Sequence, residues 1–183
     1  MKKLVPALAA IAAVLCLSPV AGTAGRQQRM VASVSRCHTS ELAASLSRGG
    51  AALGNVGVDV YLRNRSVHAC SLFGYVGFGL ENSRHEHQRK RVRWGSSYFR
   101  TDPGSHRVIL RPGERAVTNL AWTDNPLPGE PKMYPCEPSS SWLVVTPPDE
   151  RAHLLVRFGS VVCGHGVSWS ASLSYSVFLI ART

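Results

Sequence analysis

Along residues 54–80 apolar and polar positions alternate with a period of two. Val56, Val58, Val60 and Leu62 alternate with Gly57, Asp59, Tyr61 and Arg63. That is the pattern of a strand with one buried face, not of a helix. Asn64, Arg65 and Ser66 interrupt it with turn-forming side chains. Beyond Cys70 a second alternation sets Val76, Phe78 and Leu80 against Gly77, Gly79 and Glu81. The stretch therefore predicts two strands hinged at a turn and pinned by Cys70.

The same grammar extends along the chain. Residues 41–46 predict a first strand with Leu42, Ala44 and Leu46 on one face, although Leu and Ala would also suit a short helix. Residues 48–54 are small and Gly-rich and predict a loop. Residues 107–111 predict a short strand, and Pro112 with Gly113 a type II turn, because Pro presets φ and Gly accepts a positive one. Residues 115–123 predict a strand with Ala116, Thr118, Leu120 and Trp122 on one face. Residues 124–138 hold five prolines and predict a long loop tied down by Cys136. Strands follow at 141–146 and 152–158, the latter with Leu154, Val156 and Phe158 inward. Residues 163–168 predict a Gly-rich turn, and residues 173–181, apolar on both faces, a covered final strand. Seven or more short strands separated by Gly and Pro turns predict an all-β fold, an immunoglobulin-like or jelly-roll β-sandwich.

The first residues follow a different rule. Lys2 and Lys3 precede a nearly unbroken apolar run over residues 4–17, and small residues follow up to Ala24. This is the layout of a secretory signal peptide, too short for a bilayer span of about 20 apolar residues. Residues 1–24 are read as a signal peptide cleaved after Ala24, with an uncleaved N-terminal anchor as the alternative. Leu15 before Cys16 is too bulky for a lipoprotein signal. Residues 25–36 predict a flexible N-terminal segment, and residues 37–183 a single β-sandwich domain. The destination is the cell envelope or the medium.

Export changes the meaning of the cysteines. Cys37, Cys70, Cys136 and Cys163 remain after cleavage, and an even count in an exported chain predicts two disulfides. Cys37–Cys70 and Cys136–Cys163 is the favoured pairing, because each pair brackets neighbouring strands. Free buried thiols are the alternative, and no CxxC spacing suggests zinc.

Charge adds a partner class. The chain carries 21 Lys and Arg against 11 Asp and Glu. Loss of Lys2 and Lys3 leaves 19 against 11, an excess of eight. A basic exported protein is drawn to anionic envelope polymers or lipid surfaces. Nucleic acid is excluded as a partner by export and by the lack of a binding motif. The charge concentrates at residues 82–93, where Arg84, Arg89, Lys90, Arg91 and Arg93 form a candidate anion-binding patch around one Glu86. Burying five cations would cost several kcal/mol each unless every one were paired, so the segment is expected to face water, as a patch or as a solvated loop. Trp94, Tyr98 and Phe99 follow and either offer stacking faces for sugars or head groups or pack under the loop.

The order of these features, Cys37, then Leu62, Arg63 and Asn64, Cys70, Gly74 and Tyr75, then Leu110 to Gly113 as a Leu-Arg-Pro-Gly turn, Trp122, Cys136, paired prolines at 147 and 148, and Cys163, resembles an actinobacterial exported domain of unknown function found in secreted proteins and lipoproteins. The resemblance spans residues 37–170 and implies an exported envelope protein with an all-β fold and two disulfides. It implies no catalytic or binding residue. The basic stretch at 84–93 and the poor lipoprotein signal depart from it.

Chemistry is thinly signalled. No nucleophile-elbow sequence accompanies the serines and histidines, and the acids are scattered, which argues against a hydrolase. His85 and His87 would share one face of an extended segment and are weak candidate metal ligands, with arginines beside them that repel cations. Cys163, Gly164 and His165 resemble part of a type-one copper site, but Cys163 is wanted for a disulfide and no Met follows. Asn64, Arg65 and Ser66 match a glycosylation acceptor or a plain turn. The expectation is a non-enzymatic, cofactor-free exported binding or scaffold module with a basic face. A metal (copper) carrier and a hydrolase of envelope substrates are the alternatives.

Overall fold

The computed structural model describes residues 33–133 and 135–175, except the side chains of 91 and 165–175. Among the described residues there is no α-helix. A single 3-10 turn, Thr39–Glu41, leads into twelve strands: β1 Leu42–Leu46, β2 Gly50–Ala52, β3 Asn55–Asn64, β4 Cys70–Phe73, β5 Gly77–Glu81, β6 His87–Gln88, β7 Arg91–Trp94, β8 Arg107–Leu110, β9 Arg115–Thr123, β10 Ser140–Thr146, β11 Leu154–Ser160 and β12 Cys163–Tyr175. One layer is a six-stranded sheet in the order β1-β3-β9-β12-β7, with β2 also paired to β3. The other layer consists of a four-stranded sheet, β11-β10-β5-β6, and the pair β4-β8. The fold is an all-β sandwich with two disulfides, Cys37–Cys70 and Cys136–Cys163, the pairing that strand bracketing predicts.

A single apolar cluster fills the space between the layers. Val58, Val60 and Leu62 of β3 and Leu120 and Trp122 of β9 meet Leu80 of β5, Leu143 and Val145 of β10, and Leu72, Val108 and Leu110 of β4 and β8. The alternation read from β3 is the reason: its even positions turn inward and are buried. Full burial of each such side chain contributes about 1.5–3 kcal/mol.

Several expectations are corrected. The stretch read as two strands hinged at a turn holds three, β3, β4 and β5. β3 pairs with β1 and β9, β4 with β8, and β5 with β10, so the hinge carries the chain from one layer to the other. Residues 50–52, expected in a loop, form β2 on the edge of β3. Residues 163–168, expected to turn, are the first part of β12. Gly164 and Gly166 weaken the side-chain pattern there, but the backbone still pairs with β9, through a register shift between Cys163 and Ser168. β12 lies between β9 and β7, with β7 paired to residues 166–169; of the predicted last strand, residues 174 and 175 pair with β9, and residues 176–181 lie outside the described residues. So do residues 1–24, where the leader is read. Arg36 bridges Ser71, and its guanidinium donates to the carbonyl of Asp149 and pairs with Glu150.

Asn64 shows why the turn after β3 holds. It is fully buried. Its Nδ2 donates to the carbonyls of His68 (2.8 Å) and Leu110 (3.0 Å), and its Oδ1 accepts from the backbone N–H and the hydroxyl of Ser66. Its backbone closes a pair with the turn at 112–114, where the Asn64 carbonyl accepts from Gly113 and the Asn64 N–H donates to Glu114. Gly113 takes the positive φ that the sequence requires of it. The buried amide is a structural tie, and not a glycan acceptor.

Candidate functional site

The outer face of the six-stranded sheet holds the candidate site. The odd positions of β3, Gly57 and Asp59, point away from the core, opposite Ala121 and Asn119 of β9 in register. An outer face should be wet, yet Val117, Asn119 and Ala121 are buried. The cover comes from the loop after β7. Phe99 packs on β3 where Gly57 has no side chain, and a Cβ there would overlap the ring edge. Ser97 Oγ donates to Asn119 Oδ1 at 2.8 Å and accepts from the N–H groups of Phe99 and Arg100. Beside this loop a cleft of roughly 300 Å3 opens, lined by Ser47, Arg48, Gly50, Gly57, Asp59, Phe99, Arg100 and Asn119.

Its electrostatics are divided between a satisfied floor and a charged rim. Arg100 grips Asp59 with two bonds, Nε to Oδ1 at 3.1 Å and Nη2 to Oδ2 at 2.8 Å. Asn119 Nδ2 donates to Asp59 Oδ1 and to the Val58 carbonyl. Burial works to raise the Asp59 pKa, but the bonds from Arg100 and Asn119 outweigh it and hold the carboxyl below its ordinary value. The same bond to Asp59 raises the Arg100 pKa. Asp59 is thus spent internally. Arg48 is exposed at the rim and has no ion pair among the described residues. Arg93 of β7 lies on the same outer face: it stands opposite residue 168, which stands opposite Ala121. Three strand spacings of about 4.8 Å separate it from Gly57, roughly 14 Å.

The basic stretch read from the sequence is not one surface. Arg84 sits in the turn between β5 and β6, and Arg89 in the crossing from β6 to β7, both exposed. Arg93 is on the large sheet, and the Arg91 side chain lies outside the described residues. Lys90 is corrected outright: its side chain is 9% exposed and pairs with Glu137 at 3.6 Å, while Nζ donates to the Val162 carbonyl at 3.0 Å. A buried cation is tolerated because it is paired and hydrogen-bonded, by a partner 47 residues away that local sequence could not reveal. The extended histidine pair is also not adopted. His85 has a positive φ in the turn, its Nδ1 lies 3.0 Å from Glu81 Oε2, and its ring stacks on Trp142, whereas His87 opens β6. Cys136 and Cys163 lie near Glu130 in ligand-like geometry, but both sulfurs are joined to each other. Trp94 and Tyr98 remain more than half exposed.

Of the cleft residues, sequence reasoning names Phe99 as a stacking aromatic, while Arg48, Asp59, Arg100 and Asn119 escape it. The available signals were Asp59 and Asn119, an acid and an amide within the two longest alternating runs. The sequence model of a family described as Domain of unknown function (DUF4232) matches residues 37–176. The chain belongs to this family. No curated protein matches its sequence. The DUF4232 domain of this chain spans both disulfides and every residue of the cleft. Within it Asn64 and the turn at 112–114 form one hydrogen-bonded knot, and the Tyr75 hydroxyl donates to Asp102. The two disulfides of this DUF4232 domain are the chemistry of an oxidising compartment outside the cytoplasm.

Proposed function

We propose that the chain is an exported, non-enzymatic binding module that docks on an anionic polymer of the cell envelope through the outer face of its six-stranded sheet. The observation that carries the reading is the charge asymmetry of the cleft. Asp59 and Arg100 neutralise each other, which leaves Arg48 and Arg93, with no ion pair among the described residues, as the charge excess of this face. At low ionic strength, where the Debye length reaches about 30 Å at about 0.01 M, cations this far apart add their potentials and attract an extended polyanion, an attraction that salt screens away.

Retention on immobilised polygalacturonate across a salt series tests this. Wild type is expected to bind and to elute as salt rises. Arg48→Glu combined with Arg93→Glu should abolish retention, whereas Arg84→Glu with Arg89→Glu, away from the cleft, should keep most of it. Equal retention by wild type and the first double variant, or retention indifferent to salt, would overturn the reading. Binding to vesicles of anionic lipid without binding to polysaccharide would overturn the polymer assignment.

A further inference from the structure

We infer that the cleft beside Phe99 is a recognition site for a single carboxylate-bearing sugar unit, a uronic acid. The inference rests on the reading above for the source of the ligand, but its argument comes from the cleft. At roughly 300 Å3 it lies at the small end of ligand clefts, room for one ring and not for a chain segment. Its side chains divide by chemistry. Arg100 uses Nε and one edge of Nη2 on Asp59, and a guanidinium carries five donors, so Nη1 is left to point elsewhere. Arg48 brings a second guanidinium with no ion pair among the described residues. Guanidinium forks match carboxylate geometry through paired charge-assisted bonds. Asn119 and Ser97 are tied to each other and to β3, so the site is pre-organised and needs little rearrangement on binding. Of the remaining lining, Ser47 Oγ is engaged with the Arg48 carbonyl and the Asp59 N–H, the Phe99 ring covers Gly57, and Gly50 is bare. An aromatic ring accepts the apolar C–H face of a pyranose, and the open space at Gly50 lets the sugar lie close to the backbone there.

Gly50 gives the test its second variant. Nothing lies within 4 Å of a Cβ built there, so Gly50→Leu projects into the cleft without clash at its first atom. Binding of glucuronate to the full mature chain is followed by amide chemical-shift titration, with glucose and inorganic phosphate as controls. Expected is saturable, weak binding of glucuronate with shifts at Gly50, Gly57 and Phe99, and none with glucose. Arg48→Gln should weaken it roughly tenfold to a hundredfold, the weight of a charged hydrogen bond, and Gly50→Leu should abolish it, both without loss of thermal stability. Absence of glucuronate binding in the tens of millimolar, equal affinity in Arg48→Gln, or phosphate binding as tightly as glucuronate would each overturn the inference. Polymer retention without monomer binding would refute this inference and leave the proposed function standing. Monomer binding without polymer retention would do the reverse.

Discussion

Replacing Asn64 by Ala removes four hydrogen bonds at a stroke, two donated and two accepted. The Leu110 carbonyl is at a fully buried residue and loses its side-chain partner, at about 1–3 kcal/mol. His68 is exposed and Ser66 half-buried, so water can replace part of what they lose, and each adds about 0.5–1 kcal/mol. The total is about 3 kcal/mol, equivalent to roughly 10 °C in Tm for a domain of this size. Asn64→Asp is the sharper probe. It preserves shape and the two accepted bonds, but sets a carboxylate oxygen where Nδ2 donated, facing two carbonyls. Burial of that second oxygen against two carbonyls, with no donor to it, outweighs the two bonds from Ser66 and raises the folded pKa of this Asp above its unfolded value. The protonated form is therefore favoured by folding, and the variant should gain stability relative to wild type as pH falls and lose it as pH rises through the raised pKa. Urea denaturation with disulfides intact, from neutral pH to about pH 4, measures both quantities. If both variants stay within about 1 kcal/mol of wild type, or if Asn64→Asp shows no opposite pH trend, Asn64 is not the tie described.

Two further outcomes follow from the covalent and ionic ties. Removing Cys37–Cys70 or Cys136–Cys163 by paired Ser substitution should cost about 3–4 kcal/mol each, from loops of 33 and 27 residues, read as a lower urea midpoint; an unchanged midpoint would refute the pairing's role. Glu150 accepts from the backbone N–H and hydroxyl of Thr39 and contacts His38; the Thr39 bonds come first among the causes that lower its pKa below the ordinary 4.5. Its contribution is present above that value and lost as pH falls through the lowered folded pKa, so wild type should lose more stability than Glu150→Gln on acidification, and equal acid sensitivity of the two in the same urea assay would refute it.

What the sequence made legible is what depends on local pattern. The strand β9 falls on residues 115–123 as read, because alternation and the preceding Pro-Gly turn bound it. The disulfide pairing followed from which strands each pair bracketed. The assignment of β4 and β5 to the second layer was not legible, since alternation says which face is buried and not which neighbour pairs. The cleft was hidden for the same reason. Asp59 and Asn119 are 60 residues apart and meet through the register of β3 on β9, while Arg100 arrives on a loop with no period. Lys90 was misjudged because its partner, Glu137, belongs to the proline-rich segment.

The pairing of β3 with β9 also sets an order of events in time. Its partners, from Asn55 with Thr123 to Arg63 with Arg115, lie between 52 and 68 residues apart along the chain. A polypeptide emerging from its N-terminus presents β3 long before β9, and in that interval one edge of an apolar strand waits unmatched. Such non-local closure is slow, and an open strand edge invites association with other chains. Folding of this domain is thus completed late in emergence, and a chain truncated before residue 115 would retain the hazard without the strand that ends it.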